Sequence, residues 1–183
     1  MNDYGSQSMV SQLRKVLMKK PQIFMSDVDK IKWNYENPLD QDLIESNYND
    51  LVNIISKSKI EIFYLELHNE DEELCDSIFT HDPSLVINEG AIILNMNKEL
   101  RKNEIFSHIK MYESLNIPIV GKILDEGKIE GGDCLWINNE TLLVGVGYRT
   151  NIEGVNQLND IVKNYNITVI HTELPKIFNY NSC

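Results

Sequence analysis

Residues 129–151 read "IEGGDCLWINNETLLVGVGYRTN". Two strand-like runs, "CLWIN" (134–138) and "TLLVGVG" (141–147), stand close enough to pair as a hairpin. A helix is expected next, from about Glu153 to Tyr165, with Val155, Leu158, Ile161 and Val162 on one face. "ITVIHTEL" (167–174) then reads as a third strand. The unit is two paired strands, a helix and a strand. It recurs upstream over residues 77–123, where "SIFT", "LVIN" and "AIILNM" read as strands, a helix runs from about Lys98 to Leu115, and "IPIVGKI" closes the set. The duplication marks a repeated module, although the two copies share no visible sequence identity.

Nearer the N-terminus "KVLM" (15–18) reads as a short strand and residues 21–39 as a long loop. Asp40 is placed to cap a helix through about Ser56, with Leu43, Ile44, Leu51, Ile54 and Ile55 at mostly helical spacing. "IEIFYLEL" (60–67) is rich in β-branched and aromatic residues and reads as a strand. Strands alternate with helices, but several come in pairs. The fold class is therefore α/β with hairpins rather than a simple βαβα order. No G-x-G-x-x-G or Walker loop opens a helix, so the nucleotide-binding signatures are missing.

At 183 residues the chain is long enough for one domain with a real core, and residues 1–183 are expected to form a single one. The formal net charge of -11 repels phosphate backbones, and the best basic stretch, "RKVLMKK" (14–20), looks like a strand. Nucleic acid is not an expected partner. Neither is a membrane, because no run approaches the ~18 apolar residues of a span. The three cysteines, Cys75, Cys134 and Cys183, have no metal spacing and no disulfide framework. With no visible secretory signal, that pattern fits a reducing cytoplasm.

Four stretches carry chemistry-bearing residues. "CDSIFTHDPS" (75–84) offers Asp76 and Asp82 at the ends of a strand-like run. "LRKNE" (100–104) puts Arg101 and Lys102 in the first turn of a helix. "IEGGD" supplies Glu130 and Asp133 around two glycines free to adopt φ > 0. "VGVGYRTN" (144–151) ends a buried strand in Arg149, Thr150 and Asn151. Taken singly, these are turn acids, surface cations and a helix cap. Taken together, carboxylates that match a guanidinium fork and arginines that match a carboxylate would hold a zwitterion with a cationic side chain.

These stretches, in this order, resemble the guanidino-group-modifying superfamily of arginine deiminases, dimethylarginine dimethylaminohydrolases and amidinotransferases. "DSIFTHDP", "GAIILNM", "IEGGD" and "VGVGYRTN" carry the likeness, and "RKVLMKKP" with "KWNYENPLDQDLIESNYNDL" extends it over about 14–182. The resemblance implies an α/β propeller (pentein) of repeated ββαβ modules. It implies a cysteine thiolate that attacks the guanidinium carbon, a histidine that handles protons, and no metal or organic cofactor. By motif, Asp82 and Glu130 match the acids that grip the guanidinium. Asp133 would brace the turn. Asp76 and Arg149 match residues at the amino-acid end of the substrate, as does Arg101 or its neighbour Lys102. His81 departs from the family, where Glu or Arg is commoner, which leaves substrate choice open.

In that family the histidine follows a "VELP"-like strand end and the cysteine lies near the C-terminus. Here "TELPKIFNYNSC" reaches Cys183 before such a histidine, and neither His171 nor Cys183 matches. His68 and His108 are expected in ordinary structural or solvated roles. The expectation is an incomplete propeller that holds part of a binding site without nucleophile or base, and is inactive by itself. Its uncovered strand edges would be met by self-association, as a homo-oligomer, or by a mobile C-terminus. The competing expectation is a non-catalytic binding or sensor protein on the same fold.

Overall fold

The computed structural model describes residues 4–22, 28–66 and 74–175. Its described residues fall into two compact units, one of residues 12–80 and one of residues 4–11 with 81–175.

In the first unit β1 (Lys15–Met18) pairs in parallel with β2 (Glu61–Tyr64), and α1 (Lys30–Trp33) and α2 (Gln41–Lys57) lie between them in sequence. Residues 21–39 are not all loop. The Asp29 carboxylate accepts from the N–H groups of Ile31 and Lys32, and Asn34 ends the turn at φ 62, so α1 forms around the buried Trp33. Asp40 caps α2 as expected, accepting from the Leu43 N–H at 3.0 Å. Of the apolar positions at helical spacing in α2, Leu43, Leu51 and Ile54 are exposed, while Ile44 and Ile55 are half-buried. Capping and the Gln41–Glu45 hydrogen bond at 2.7 Å are what its sequence supplies locally. "SIFT" is not a strand: Cys75–Ile78 is a 3-10 turn. The Ser77 hydroxyl donates back to the Leu74 carbonyl at 2.6 Å, a local bond that competes with extension. Residues 67 and 68, the end of the expected strand and a histidine, lie outside the described residues.

The second unit contains the repeat. β3 (Ser84–Ile87) and β4 (Gly90–Ile93) form an antiparallel hairpin, and α3 (Glu104–Ser114) crosses to β5 (Ile119–Lys122), which runs parallel to β4. β6 (Cys134–Asn138) and β7 (Thr141–Val146) form the second hairpin, and α4 (Ile152–Val162) crosses to β8 (Thr168–Glu173), parallel to β7. The sheets run β3-β4-β5 and β6-β7-β8, the same ββαβ connection twice. The first module starts at residue 84 rather than 77, because of the 3-10 turn. Its helix is also shorter than expected. Glu99–Arg101 form a separate 3-10 turn, and α3 begins only at Glu104.

One core joins the two modules. Leu85, Ile87 and Ile92 from the first sheet pack with Trp136, Leu142 and Val144 from the second, and α4 adds Val155, Leu158 and Val162. Removing this apolar surface from water is the main stabilising term. The other side of the second sheet is different. Leu135 faces Leu143 across the hairpin, Leu143 faces Ile170, and Leu135, Ile137 and Ile170 are exposed. Among the described residues β8 pairs only with β7.

Gly154 sits within α4, where Ala ordinarily stabilises by ~1 kcal/mol. Here a Cβ would lie 2.2 Å from the Lys128 carbonyl oxygen. Gly154→Ala is therefore expected to destabilise by roughly 1–3 kcal/mol, and a raised denaturation midpoint would show that the helix can move away from that loop.

Candidate active site

The mouths of the two modules carry the acids and arginines picked out by sequence. Asp82 precedes β3, and Pro83 after it fixes an extended entry to the strand. Arg101 follows β4, Glu130 precedes β6, and Arg149 follows β7. The "GG" of the opening stretch draws the mouths together. Neither Gly131 nor Gly132 has positive φ, so the expectation of a special turn conformation is corrected. Their role is close approach. A Cβ on Gly131 would lie 2.0 Å from the His81 carbonyl oxygen, and one on Gly132 would lie 2.9 Å from Asp82 Oδ1. The Gly131 N–H donates to the Asp82 carbonyl at 2.9 Å, and the Gly132 N–H donates to Asp82 Oδ1 at 3.0 Å.

Each mouth holds an acid–arginine pair, and the pairs differ. Arg101 is 2% exposed. Its Nη1 donates to Asp82 Oδ2 at 2.8 Å, while Nε and Nη2 donate to the two carboxylate oxygens of Glu104, each at 2.8 Å. Burial works against the guanidinium charge, but Glu104 and Asp82 outweigh it and hold Arg101 firmly protonated. Expected at the amino-acid end of a substrate, Arg101 here has all three side-chain nitrogens engaged by protein. The second pair is looser. Glu130 is 1% exposed, its Oε1 accepts from the Asn97 N–H at 3.2 Å, and its Oε2 meets Arg149 Nη1 at 3.2 Å. The Arg149 side chain remains 30% exposed.

Asp133 braces the loop that carries Glu130. Thr150 Oγ1 donates to Asp133 Oδ2 at 2.6 Å and accepts from the Glu130 N–H at 3.3 Å. Burial pushes the Glu130 carboxyl above the usual carboxylate range, and the neighbouring Asp82 adds to this against the pull of Arg149 and Arg101. Burial likewise raises Asp133, with Thr150 and Arg149 opposing. Asp82, Glu104, Glu130 and Asp133 are thus four acids around two arginines, a formal excess of two negative charges (4 − 2). Such a cluster suits an added cation.

Asp76 lies in the unit of residues 12–80. It is buried and accepts from the Tyr35 hydroxyl at 2.5 Å. The cysteines and histidines have other surroundings. Cys75 is buried in that same unit. Burial, with Asp133 and Asp82 beside it, pushes the Cys134 thiol up to about 12, far from a thiolate at neutral pH. His108 is buried with Nδ1 2.9 Å from Ser84 Oγ, which also meets the Tyr112 hydroxyl at 2.6 Å. His171 is exposed on β8. Cys183 lies outside the described residues. Sequence reasoning missed Glu104 and Asn97. Glu104 is readable as a charge three residues after Arg101, a spacing that brings side chains together on a helix. Asn97 contributes a backbone N–H, which leaves no mark in residue type.

A family model for arginine deiminase matches residues 34–179. The Bacillus subtilis protein YkgA is 27% identical over 175 residues, covering 93% of this chain and 58% of its own length. The arginine deiminase of Listeria innocua is 38% identical over 86 residues, which are 44% of this chain and 21% of that enzyme. The chain thus spans little more than half the length of one curated relative and about a fifth of the other. Among solved structures, dimethylarginine dimethylaminohydrolase from Pseudomonas aeruginosa, complexed with citrulline, superposes with a TM-score of 0.75 at 22% identity, over 92% of this chain and 64% of that one. The N-terminal domain of a cyanobacterial arginine dihydrolase, bound to its product, gives 0.74 at 18% identity, over 90% and 59%. The structural likenesses establish a shared α/β fold, and the match over residues 34–179 establishes that the chain belongs to the arginine deiminase family.

Proposed function

We propose that this chain binds the guanidinium group of arginine or a methylarginine between Asp82 and Glu130, as the binding part of a hydrolase acting on the guanidino C–N bond. The observation that carries the reading is Glu130, a buried carboxylate whose only charged hydrogen-bond partner among the described residues, Arg149, is long, half-buried and held at 3.2 Å. A bound guanidinium offers a carboxylate two parallel donors and replaces that weaker contact. Arg149, once released, can meet the carboxylate end of the substrate. Relatives and neighbours bearing the names arginine deiminase and arginine dihydrolase, and a neighbour complexed with citrulline, support the substrate class.

In the reaction proposed for the complete machinery, a cysteine thiolate adds to the guanidinium carbon. An amine or ammonia leaves with a proton delivered by histidine, and water then hydrolyses the covalent intermediate to a urea-type product. We assign neither role to Cys134, a buried neutral thiol, nor to His108, whose Nδ1 lies 2.9 Å from Ser84 Oγ. Glu130 serves by holding the cation in place and favouring its charge. The finer fold reading is that the two ββαβ modules are blades of an α/β propeller. The exposed row on β6 and β8 is read as a self-association surface, and sedimentation is expected to show a species larger than the monomer.

Calorimetric titration tests the binding reading. Arginine should bind the wild-type chain, and Glu130→Gln should weaken it by about tenfold or more, the scale of a lost charge-assisted hydrogen bond. No citrulline should form, and turnover at an enzymatic rate would overturn the assignment of binding without catalysis.

The raised proton affinity of Glu130 sets a pH dependence with a definite sign. The folded state binds this proton more readily than the unfolded state. Wild-type stability therefore gains from this site as pH falls through the raised value, and loses as pH rises from the ordinary carboxylate value to the raised one. Glu130→Gln removes that loss. The midpoint of the variant relative to wild type is expected to climb with pH across this window, and a flat difference would show that Glu130 is ionised without cost.

A further inference from the structure

We infer that Glu104 is a positioning residue for the guanidinium site. It neutralises Arg101 and so leaves the negative charge of Asp82 available to the substrate. The inference rests on the binding reading above and adds a residue to it.

The problem it solves is electrostatic. Asp82 is expected to receive a cation, yet it already has one. Arg101 Nη1 lies 2.8 Å from Asp82 Oδ2, with the guanidinium 2% exposed. A buried arginine facing one carboxylate would cancel its charge and repel a second guanidinium. The geometry shows the remedy. Glu104 engages Nε and Nη2 in a bidentate fork at 2.8 Å each, and Nη1 donates to Asp82. The group Glu104–Arg101–Asp82 then carries a net charge of one negative (−1 + 1 − 1). The fork also fixes the guanidinium plane, so the Nη1 bond holds Asp82 in one orientation. Its other oxygen, Oδ1, is fixed by the Gly132 N–H at 3.0 Å, from the same loop that carries Glu130. The aim of Asp82 towards the Glu130 side is thus set from both oxygens. Glu104 itself is 1% exposed and reaches substrate only through Arg101.

A purely structural salt bridge and a charge-setting one make different demands on ligands. Arginine and citrulline share the amino-acid end and differ at the terminal group, cationic guanidinium against neutral ureido. If Glu104 sets the charge available at Asp82, removing that charge harms arginine and spares citrulline.

The experiment is titration of the chain with arginine and with citrulline, in wild type, Glu104→Gln and Glu104→Asp, with the melting midpoint of each recorded. In Glu104→Gln the arginine affinity is expected to fall by about tenfold or more, the order of one unit charge at several ångström in a protein interior. Citrulline should change by less than about twofold on the same scale. Glu104→Asp is too short to hold both Nε and Nη2 but keeps the charge, so it should lose melting midpoint while keeping the arginine preference. Equal losses for both ligands in Glu104→Gln would overturn the inference in favour of a structural role. If that variant does not fold, Glu104→Asp decides: a lost arginine preference with the charge retained overturns the inference, and a kept preference supports it. Failure of wild type to bind arginine at all overturns the binding reading and this inference with it. Binding that is present but insensitive to Glu104 overturns only the latter.

Discussion

The contact between the backbone at Gly131 and the carbonyl of His81 is the constraint on which the rest of the site depends. Two module mouths meet there at a distance that excludes even a methyl group. The approach lets consecutive N–H groups of residues 131 and 132 reach the Asp82 backbone and carboxylate. It places Glu130, one residue earlier, beside the same acid. Widening this contact would cost the hydrogen bonds and would also separate the carboxylates of Asp82 and Glu130. A hairpin turn is a sufficient reason for a glycine pair in many proteins. In this chain the pair serves packing of main chain on main chain.

Drawing acids together and out of water is unfavourable by itself. Glu130 and Asp133 both show it in a proton affinity raised by burial and by the neighbouring Asp82. Two arginines offset the cost, in different ways. Arg101 is buried and fully engaged, so its charge is permanent structure. Arg149 is half-exposed and holds Glu130 by one longer contact. Buried ion pairs contribute little net stability once desolvation is counted, but breaking one of their partners is costly. The tight pair therefore belongs to the framework. The loose pair is the one that can open at smaller cost.

The repeated module explains why these residues meet at all. In each copy the hairpin begins and the second strand ends at the same side, because the two strands are antiparallel. An acid before the first strand and a basic residue after the second must then lie near one another. The shared core of Leu85, Ile87, Ile92, Trp136, Leu142 and Val144 fixes the copies side by side, with both mouths towards one region. Family membership and a common α/β fold with guanidino-group hydrolases agree with that arrangement.

Local chemistry in the sequence determined the strands from Ser84 onward, the helix capped by Asp40, the twofold ββαβ repeat and the candidates Asp82, Glu130 and Arg149. Period-2 and period-3.6 patterns and caps act over a few residues, so they can be read without coordinates. The errors share a cause. "SIFT" looked extended but closes a 3-10 turn through the Ser77 side chain, and the helix expected from about Lys98 starts only at Glu104, after a separate 3-10 turn. Side-chain bonds and burial are not functions of local composition. The glycines of "IEGGD" were legible as special, but the reason was not, because the obstructing carbonyl of His81 is about fifty residues away in the chain. The partnership of Glu104 with Arg101 was within helical reach in sequence. Its setting came only from the tertiary structure, which withdraws both groups from water and sets the pair against Asp82, so that one arginine is shared between two acids.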